Sequence, residues 1–138
     1  MKVAVWLTTW PLPERRDQRV AADAALVEKT IREIEGDWCA DLFLVKDAPD
    51  VDEAEQYLGM SASEGRYMVT AQTGPDAFYD LIGDPDAEGE EEDFCIGGQA
   101  AGWPRRKLVS VEDAVEVALH YLRHGRLADG RLWERQDR

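Results

Sequence analysis

The chain has 138 residues, 29 of them Asp or Glu and 16 Lys or Arg, which gives a formal net charge of −13. This length suits a single domain over residues 1–138, and 44% hydrophobic residues are enough for a folded core, which excludes global disorder. The negative charge disfavours nonspecific binding to DNA, RNA or an anionic bilayer, because phosphate groups are bound by basic surfaces.

The first elements in chain order are a strand and a helix. Val3–Leu7 is a continuous apolar run that predicts a buried strand, and Pro11 and Pro13 end it. Apolar residues then recur at steps of three and four, which predicts an amphipathic helix that starts near Asp17 and ends near Gly36. The residues of this apolar stripe are Val20, Ala24, Val27, Ile31 and Ile34.

The middle of the chain predicts an antiparallel meander. Residues 47–55 are expected to form an acidic loop. Turn signals at 63–65 and 74–76 separate short runs rich in aromatic and β-branched residues, as in consecutive hairpins. The predicted strands are 40–45, 56–62, 66–72 and 78–82.

The last third predicts a second helix. Residues 84–93 are expected to be a charged loop, 94–96 a strand and 97–104 irregular. Ser110 is a predicted helix cap, and Gly125 a predicted helix stop. A final extended piece is expected at Leu132 and Trp133. The expected fold is therefore α+β, with a mostly antiparallel sheet and an N-terminal and a C-terminal helix packed on it.

The cysteines and the apolar runs predict a cytoplasmic protein. Cys39 and Cys95 are far apart in a chain longer than most disulfide scaffolds, so both are expected to be reduced. No 18-residue stretch is apolar enough to predict a membrane span. The N-terminal run lacks a small-residue cleavage site, so we interpret it as the first strand and not as a signal peptide.

Motifs for catalysis are weak. The sequence contains no Gly-x-Ser-x-Gly elbow and no glycine-rich phosphate loop, and both cysteines have apolar neighbours. His120 and His124 have the spacing of two metal ligands on one helix face, but Tyr121 stands where a zincin motif has Glu. We therefore predict no enzyme, no cofactor and no metal ion bound by the two histidines.

The acidic segment, residues 84–93, holds seven of the 29 acidic residues. Its first half imitates a calcium loop, but Cys95 stands where the bidentate Glu would be. Three interpretations remain: a solvated loop, a calcium loop, or a loop whose carboxylates face Lys and Arg of a partner protein. The predicted partner-binding carboxylates are Asp84, Asp86, Glu88, Glu90, Glu91, Glu92 and Asp93.

Trp103 is a further candidate for partner binding. It precedes the basic run Arg105, Arg106 and Lys107, and both Trp and Arg are favoured anchors of protein interfaces. Trp is equally common in cores, so the sequence leaves interface and core open.

The order and spacing of several C-terminal features resemble an immunity-protein family of bacterial polymorphic toxin systems that is usually paired with nucleic-acid deaminase toxins. The resemblance covers about 80 residues. Its features are the turn 64–67, a glycine-rich stretch before Trp103 and Pro104, the pattern 109–114 that opens the last helix, then 124–126 and 132–134.

The resemblance implies a small α+β protein without catalysis of its own. Such a protein would bind the toxin of its own cell line and block the active site or the entry of substrate. Glu64, Gly65 and Trp133 match the family pattern, and we interpret them as structural. The expected partner is a toxin with a basic surface; an acidic binding module or nucleic-acid mimic that acts on another basic protein is the alternative.

Overall fold

The computed structural model describes residues 3–9, 16–35, 38–46, 56–87, 89–96 and 99–136. The predictions for Pro11, Pro13, Gly36 and the loop 47–55 lie outside this part. The strands are β1 (Val3–Thr9), β2 (Arg16–Ala21), β3 (Trp38–Lys46), β4 (Tyr57–Ser63), β5 (Arg66–Gly74), β6 (Ala77–Leu81), β7 (Glu91–Ile96), β8 (Gln99–Pro104), β9 (Leu108–Val109) and β10 (Trp133–Arg135). The helices are α1 (Ala24–Glu33) and α2 (Val111–His124), and a 3₁₀ turn spans Arg105–Lys107.

Eight of these strands form one antiparallel sheet. Seven follow the order β10-β6-β5-β4-β3-β1-β2, and β9 pairs with β5. The predicted meander is its centre, where β3, β4, β5 and β6 are sequential neighbours. The turn between β4 and β5 needs left-handed backbone at Glu64 (φ 50°) and Gly65 (φ 85°), as the Glu-Gly turn signal predicts.

Both helices contribute to one core on one face of the sheet. Alternate residues of β5, among them Tyr67 and Val69, point to this core, and both are fully buried. From α1, Val27 and Ile31 pack there, and the Tyr67 hydroxyl donates a hydrogen bond to the Ile31 carbonyl oxygen. The mixed core of helices and sheet confirms the expected α+β fold.

The N-terminal helix is shorter than its apolar stripe predicts. Residues 16–21 form strand β2, in which Val20 pairs with Val5 of β1, so the helical prediction is wrong for this part. The helix begins after Asp23, whose carboxylate accepts a hydrogen bond from the Leu26 N–H at 2.8 Å, so Asp17 is not the cap. The apolar spacing typical of a helix continues into residues 16–21, but these residues pair with β1 in the sheet.

The C-terminal helix agrees with its capping signals. The Ser110 hydroxyl oxygen accepts a hydrogen bond from the Asp113 N–H at 3.2 Å, and Gly125 ends the helix in the left-handed region. Arg32 of α1 donates two hydrogen bonds to the Glu112 carboxylate at the start of α2, at 2.9 and 3.2 Å. The two helices are thereby joined at the surface as well as through the core.

A second, two-stranded sheet is formed by β7 and β8. Two sequence predictions are wrong here: residues 91–93 are strand and not loop, and residues 99–104 are strand and not irregular. Burial of Phe94 against Met68 and Leu108 favours the strand, because it gives the hairpin an apolar contact on the main sheet. In the part of the chain that the structure describes, neither helix is long and apolar enough to cross a membrane.

Candidate functional site

The acidic segment leaves the main sheet at a fixed point. The Gly83 N–H donates to the Arg106 carbonyl oxygen at 2.7 Å, and the Asp84 N–H donates to the same oxygen at 3.2 Å. A Cβ atom on Gly83 would lie 2.2 Å from the Leu108 carbonyl oxygen, so only glycine allows this approach. The start of the acidic segment is therefore held against the segment that follows β8.

Six of the seven acidic residues lie within the described part of the chain, and Glu88 lies outside it. Asp84, Asp86, Glu90, Glu91 and Asp93 are exposed, and Glu92 is half-buried. The last three of these acids stand on strand β7, where the ladder to β8 fixes the direction of each side chain. A rigid strand therefore presents part of the negative charge that the sequence predicted on a loop.

Two arginines neutralise part of this charge. Arg105 lies 3.3 Å from the Glu90 carboxylate, and both side chains are about half exposed. Arg66 of β5 forms an ion pair with Glu92 and donates to the carbonyl oxygen of Asp93 at 3.1 Å. The Glu91 and Asp93 carboxylates have no cationic partner among the described residues, so they carry the free negative charge of β7.

Trp103 is half-buried and packs beside the apolar contact of the hairpin. It lies opposite Glu92 in the ladder and touches the cluster of Met68, Phe94 and Leu108. Its indole N–H is buried and finds no hydrogen-bond acceptor in the described part of the chain. This environment shows a packing role for Trp103, and contact with a partner stays a prediction.

A groove of about 540 Å³ lies next to Trp103, on the face of the main sheet opposite the helices. Its floor holds Lys107 and Asp80, whose charged atoms are 2.8 Å apart, and Gln136 donates to the other Asp80 oxygen at 2.8 Å. The groove is lined by Met68, Thr70, Asp80, Trp103, Lys107, Glu134, Arg135 and Gln136.

Arg106 and Glu134 form an ion pair at the rim of the groove. Arg106 Nη2 lies 2.6 Å from both carboxylate oxygens of Glu134. This hydrogen bonding, with a smaller attraction from Lys107, lowers the pKa of Glu134, although partial desolvation opposes the shift. The ion pairs of Glu134 with Arg106 and Lys107 join β10 to the segment after β8. They help to hold the extended piece predicted around Trp133 on the sheet.

His120 and His124, the candidate metal ligands, are neighbours on α2, with ring centroids 4.5 Å apart and the ring planes tilted by 46°. No group of three or more His, Cys, Asp or Glu side chains converges as a metal site within the described residues. Within the described residues the site consists of exposed carboxylates on β7, a half-buried indole and several ion pairs.

The expectation that both cysteines are reduced is wrong for Cys95, which is disulfide-bonded. Cys95 lies on β7 and is 2% exposed. The sequence holds one other cysteine, Cys39, whose side chain lies outside the described residues. The prediction of a cytoplasmic location therefore loses the support that it took from reduced cysteines.

Sequence reasoning missed the strand β8 and the ion pairs that order the groove. A signal for β8 was present, since Gly97-Gly98 is a hairpin dipeptide between Ile96 and Gln99, the last pair of the ladder. No comparable signal pointed to the pair of Lys107 with Asp80, because their approach depends on how the chain returns to the sheet.

A family model described as Immunity protein Imm1 matches residues 15–134. The chain belongs to the Imm1 immunity protein family. The match spans both helices, the meander, the acidic segment and all but the last residue of β10, and so extends well beyond the C-terminal features that carried the resemblance. Among curated proteins, no match was found.

Proposed function

We propose that this Imm1 protein binds and neutralises a cognate bacterial toxin, a nucleic-acid deaminase, by covering its active site or its substrate-binding surface. The observation that carries the proposal is the family match over residues 15–134. The protein performs no reaction in this scheme. It acts by occupying the surface that the toxin needs for its substrate.

The charge of the protein supports this kind of partner. A deaminase that acts on nucleic acid holds a polyanionic substrate and therefore presents a basic surface. A protein with a net charge of −13 is attracted to such a surface, and the attraction speeds association and weakens as salt is added. The same charge disfavours nucleic acid and anionic membranes as partners.

The proposed contact is the acidic segment together with Trp103. Its carboxylates extend from Asp84 to Asp93, and Glu91 and Asp93 among them are not neutralised within the described part of the chain. Trp103 lies on the neighbouring strand and is half-buried, on the face of the hairpin that carries Glu92 and Phe94, so a partner would reach its exposed part at the rim of the hairpin. Such a contact combines charge at the rim with an aromatic anchor.

The proposal places the protein in the cytoplasm, because an inhibitor of a nucleic-acid deaminase is needed where the nucleic acid is. A disulfide is disfavoured in a reducing cytoplasm. Titration of free thiols in protein isolated from the native cells without reductant tests the location: a free Cys95 thiol supports the cytoplasm, and an intact Cys95 disulfide contradicts it.

An acidic binding module or nucleic-acid mimic that acts on another basic protein is the second candidate, and the net charge favours it as well. The two candidates differ in their partner. Imm1 function requires that the protein bind the toxin encoded beside its own gene, whereas a mimic would bind a basic protein of the host.

Co-expression with the toxin encoded by the adjacent gene tests the proposal. Wild-type protein should restore growth and abolish deamination of a single-stranded oligonucleotide by the purified toxin. A matched control is the same experiment with a toxin from a different immunity pair, which should stay active. If cells die although the purified proteins form a stable complex, then binding does not neutralise the toxin and the proposal is wrong.

A further inference from the structure

The strand β8 presents an unprotected sheet edge. Within the described residues it pairs with β7 alone, while β7 packs against β3 and β4, so the other side of β8 faces outward. None of its six residues is charged, and Ala100, Ala101 and Gly102 are all exposed. Protein edges are usually blunted by charges, short length or distortion, because free backbone groups attract another strand.

The two ends of the main sheet differ from β8 in this respect. The edge strand β2 contains three charged residues in six, and the other edge strand, β10, has only three residues, two of them charged. Both have the features that discourage strand pairing. Among the edges in the described part of the chain, β8 is therefore the one built to accept a strand.

The register of the hairpin identifies the backbone groups that point outward. The Arg105 N–H donates to the Glu90 carbonyl oxygen at 2.9 Å, so this pair is hydrogen-bonded. Because hydrogen-bonded and non-hydrogen-bonded pairs alternate in an antiparallel ladder, the backbone groups of Ala100 and Gly102 point away from β7. Pro104 occupies the next outward position, where the absence of an N–H does not weaken the hairpin.

The free carboxylates lie beside this edge. Glu91 and Asp93 pair with Pro104 and Gly102, so both side chains are on the face of the hairpin opposite Phe94 and Trp103, and both are exposed. A Cβ atom built on Gly102 would lie 3.2 Å from Glu91 Oε1, so the Glu91 carboxylate lies over Gly102 of β8. A strand added to β8 would lie about 10 Å from β7. A Lys or Arg side chain of that strand can extend over Gly102 toward the Glu91 carboxylate.

We propose that the open edge of β8 binds an extended segment of the toxin as a third antiparallel or parallel strand, and that a Lys or Arg of this segment meets Glu91 and Asp93. This inference rests on the proposed function, since it names how the toxin is held. Main-chain hydrogen bonds to Ala100 and Gly102 supply affinity, and the carboxylates select a basic segment. A second copy of the chain is the competing occupant.

Proline substitutions at the outward positions test the edge. Ala100→Pro and Gly102→Pro each remove an N–H that the hairpin itself does not use, so thermal unfolding should change little. Ala100→Val and Gly102→Val are the matched controls, since the valine side chain has as many carbon atoms as that of proline and keeps the N–H. Each proline variant should bind the toxin about tenfold more weakly than its control, which corresponds to the loss of about one hydrogen bond and the pairing around it.

Amide hydrogen exchange of the labelled protein gives a readout that does not depend on substitution. The amides of Ala101 and Trp103 should be protected in the free protein, and those of Ala100 and Gly102 only in the complex. If wild-type protein does not bind the toxin, the proposed function fails. If it binds but Ala100 and Gly102 stay unprotected, or the proline variants bind like their controls, the edge is not the contact. Protection of these amides in toxin-free protein that rises with concentration would assign the edge to a second copy.

Discussion

The Lys107 ammonium lies 2.8 Å from Asp80 Oδ2, in a pair whose side chains are only 18% and 6% exposed. It connects the segment after β8 to β6 across the floor of the groove. Gln136 donates to the second oxygen of Asp80, so the carboxylate is satisfied on both sides although it is buried. This pair, more than any surface pair, fixes how the hairpin and the C-terminal segment sit on the sheet.

Replacing Lys107 with Met should destabilise the protein by roughly 3–5 kcal/mol, because it leaves the buried Asp80 carboxylate without its cation. Urea unfolding at neutral pH measures the change. The matched control is Arg105→Met, which breaks an exposed pair with Glu90 and should cost less than about 1 kcal/mol. Equal losses of stability in the two variants would mean that the buried pair of Lys107 and Asp80 stabilises the protein no more than the exposed pair of Arg105 and Glu90 does.

Acid should weaken the contact of Glu134 with Arg106. The hydrogen bonds from Arg106 lower the pKa of Glu134 in the folded state, so the pair stabilises the protein above the ordinary glutamate value of about 4.3 and loses this effect as the pH falls through the lower folded pKa. In Glu134→Gln the stability gap to wild type should be present at neutral pH and shrink in acid. Urea unfolding over a pH series checks this, and Arg106→Gln should flatten the profile in the same way.

The strands of the meander could be predicted from the sequence because their local signals agree with the fold. Alternation puts Tyr67 and Val69 on the core face, and the turn at Glu64 and Gly65 supplies the positive φ values that a tight hairpin needs. The C-terminal helix was equally predictable from Ser110 and Gly125. Pattern and capping chemistry act within a few residues, so they can be recognised without knowing the rest of the chain.

The errors fall where distant pairing overrides a local pattern. Val20 continues a helical stripe, yet it pairs with Val5 in the sheet. Repulsion between the like charges of Glu91 and Asp93 favours a loop over a strand. The strand forms nevertheless, because the apolar contact of Phe94 with Met68 stabilises it. Of the candidate site, the acidic residues and Trp103 could be named in advance, but the open edge of β8 depends on which strands find partners.

The shortened first helix still contributes to the core. Ile31 is fully buried, and its carbonyl oxygen accepts the hydrogen bond from Tyr67. Ile31→Ala should destabilise by roughly 2–5 kcal/mol, through lost burial and the cavity that remains. Leu132→Ala is the control, because Leu132 is 56% exposed and should change stability by less than about 0.5 kcal/mol. Chemical denaturation of both variants measures the two losses of stability. Similar small losses would contradict a core role for the apolar stripe of α1.

Cys95 should contribute to stability through its disulfide. Cys95→Ser is expected to destabilise the oxidised protein by about 2–4 kcal/mol, since the unfolded chain regains the freedom that the cross-link removes. The control is the wild-type protein in reductant, which should show the same loss. Thermal unfolding with and without reductant measures both, and wild-type stability that does not respond to reductant would contradict the prediction.

The acidic segment should contribute unequally to toxin binding, because its carboxylates are not equally free. Glu90 and Glu92 are paired with Arg105 and Arg66, whereas Glu91 and Asp93 have no cationic partner among the described residues. Replacing all of Glu90, Glu91 and Glu92 with Gln should destabilise the protein by less than about 2 kcal/mol, since two ion pairs of at most about 1 kcal/mol each are lost, and should slow association with the toxin.

Two double variants of equal charge change separate these contributions. Glu91→Gln with Asp93→Asn should slow association more than Glu90→Gln with Glu92→Gln, since only the first pair removes charge that no arginine offsets. Stopped-flow association with the toxin at low salt measures the difference, and the difference should shrink at high salt, where screening weakens both. Equal slowing by the two variants would show that total charge, and not the free carboxylates on β7, steers the encounter.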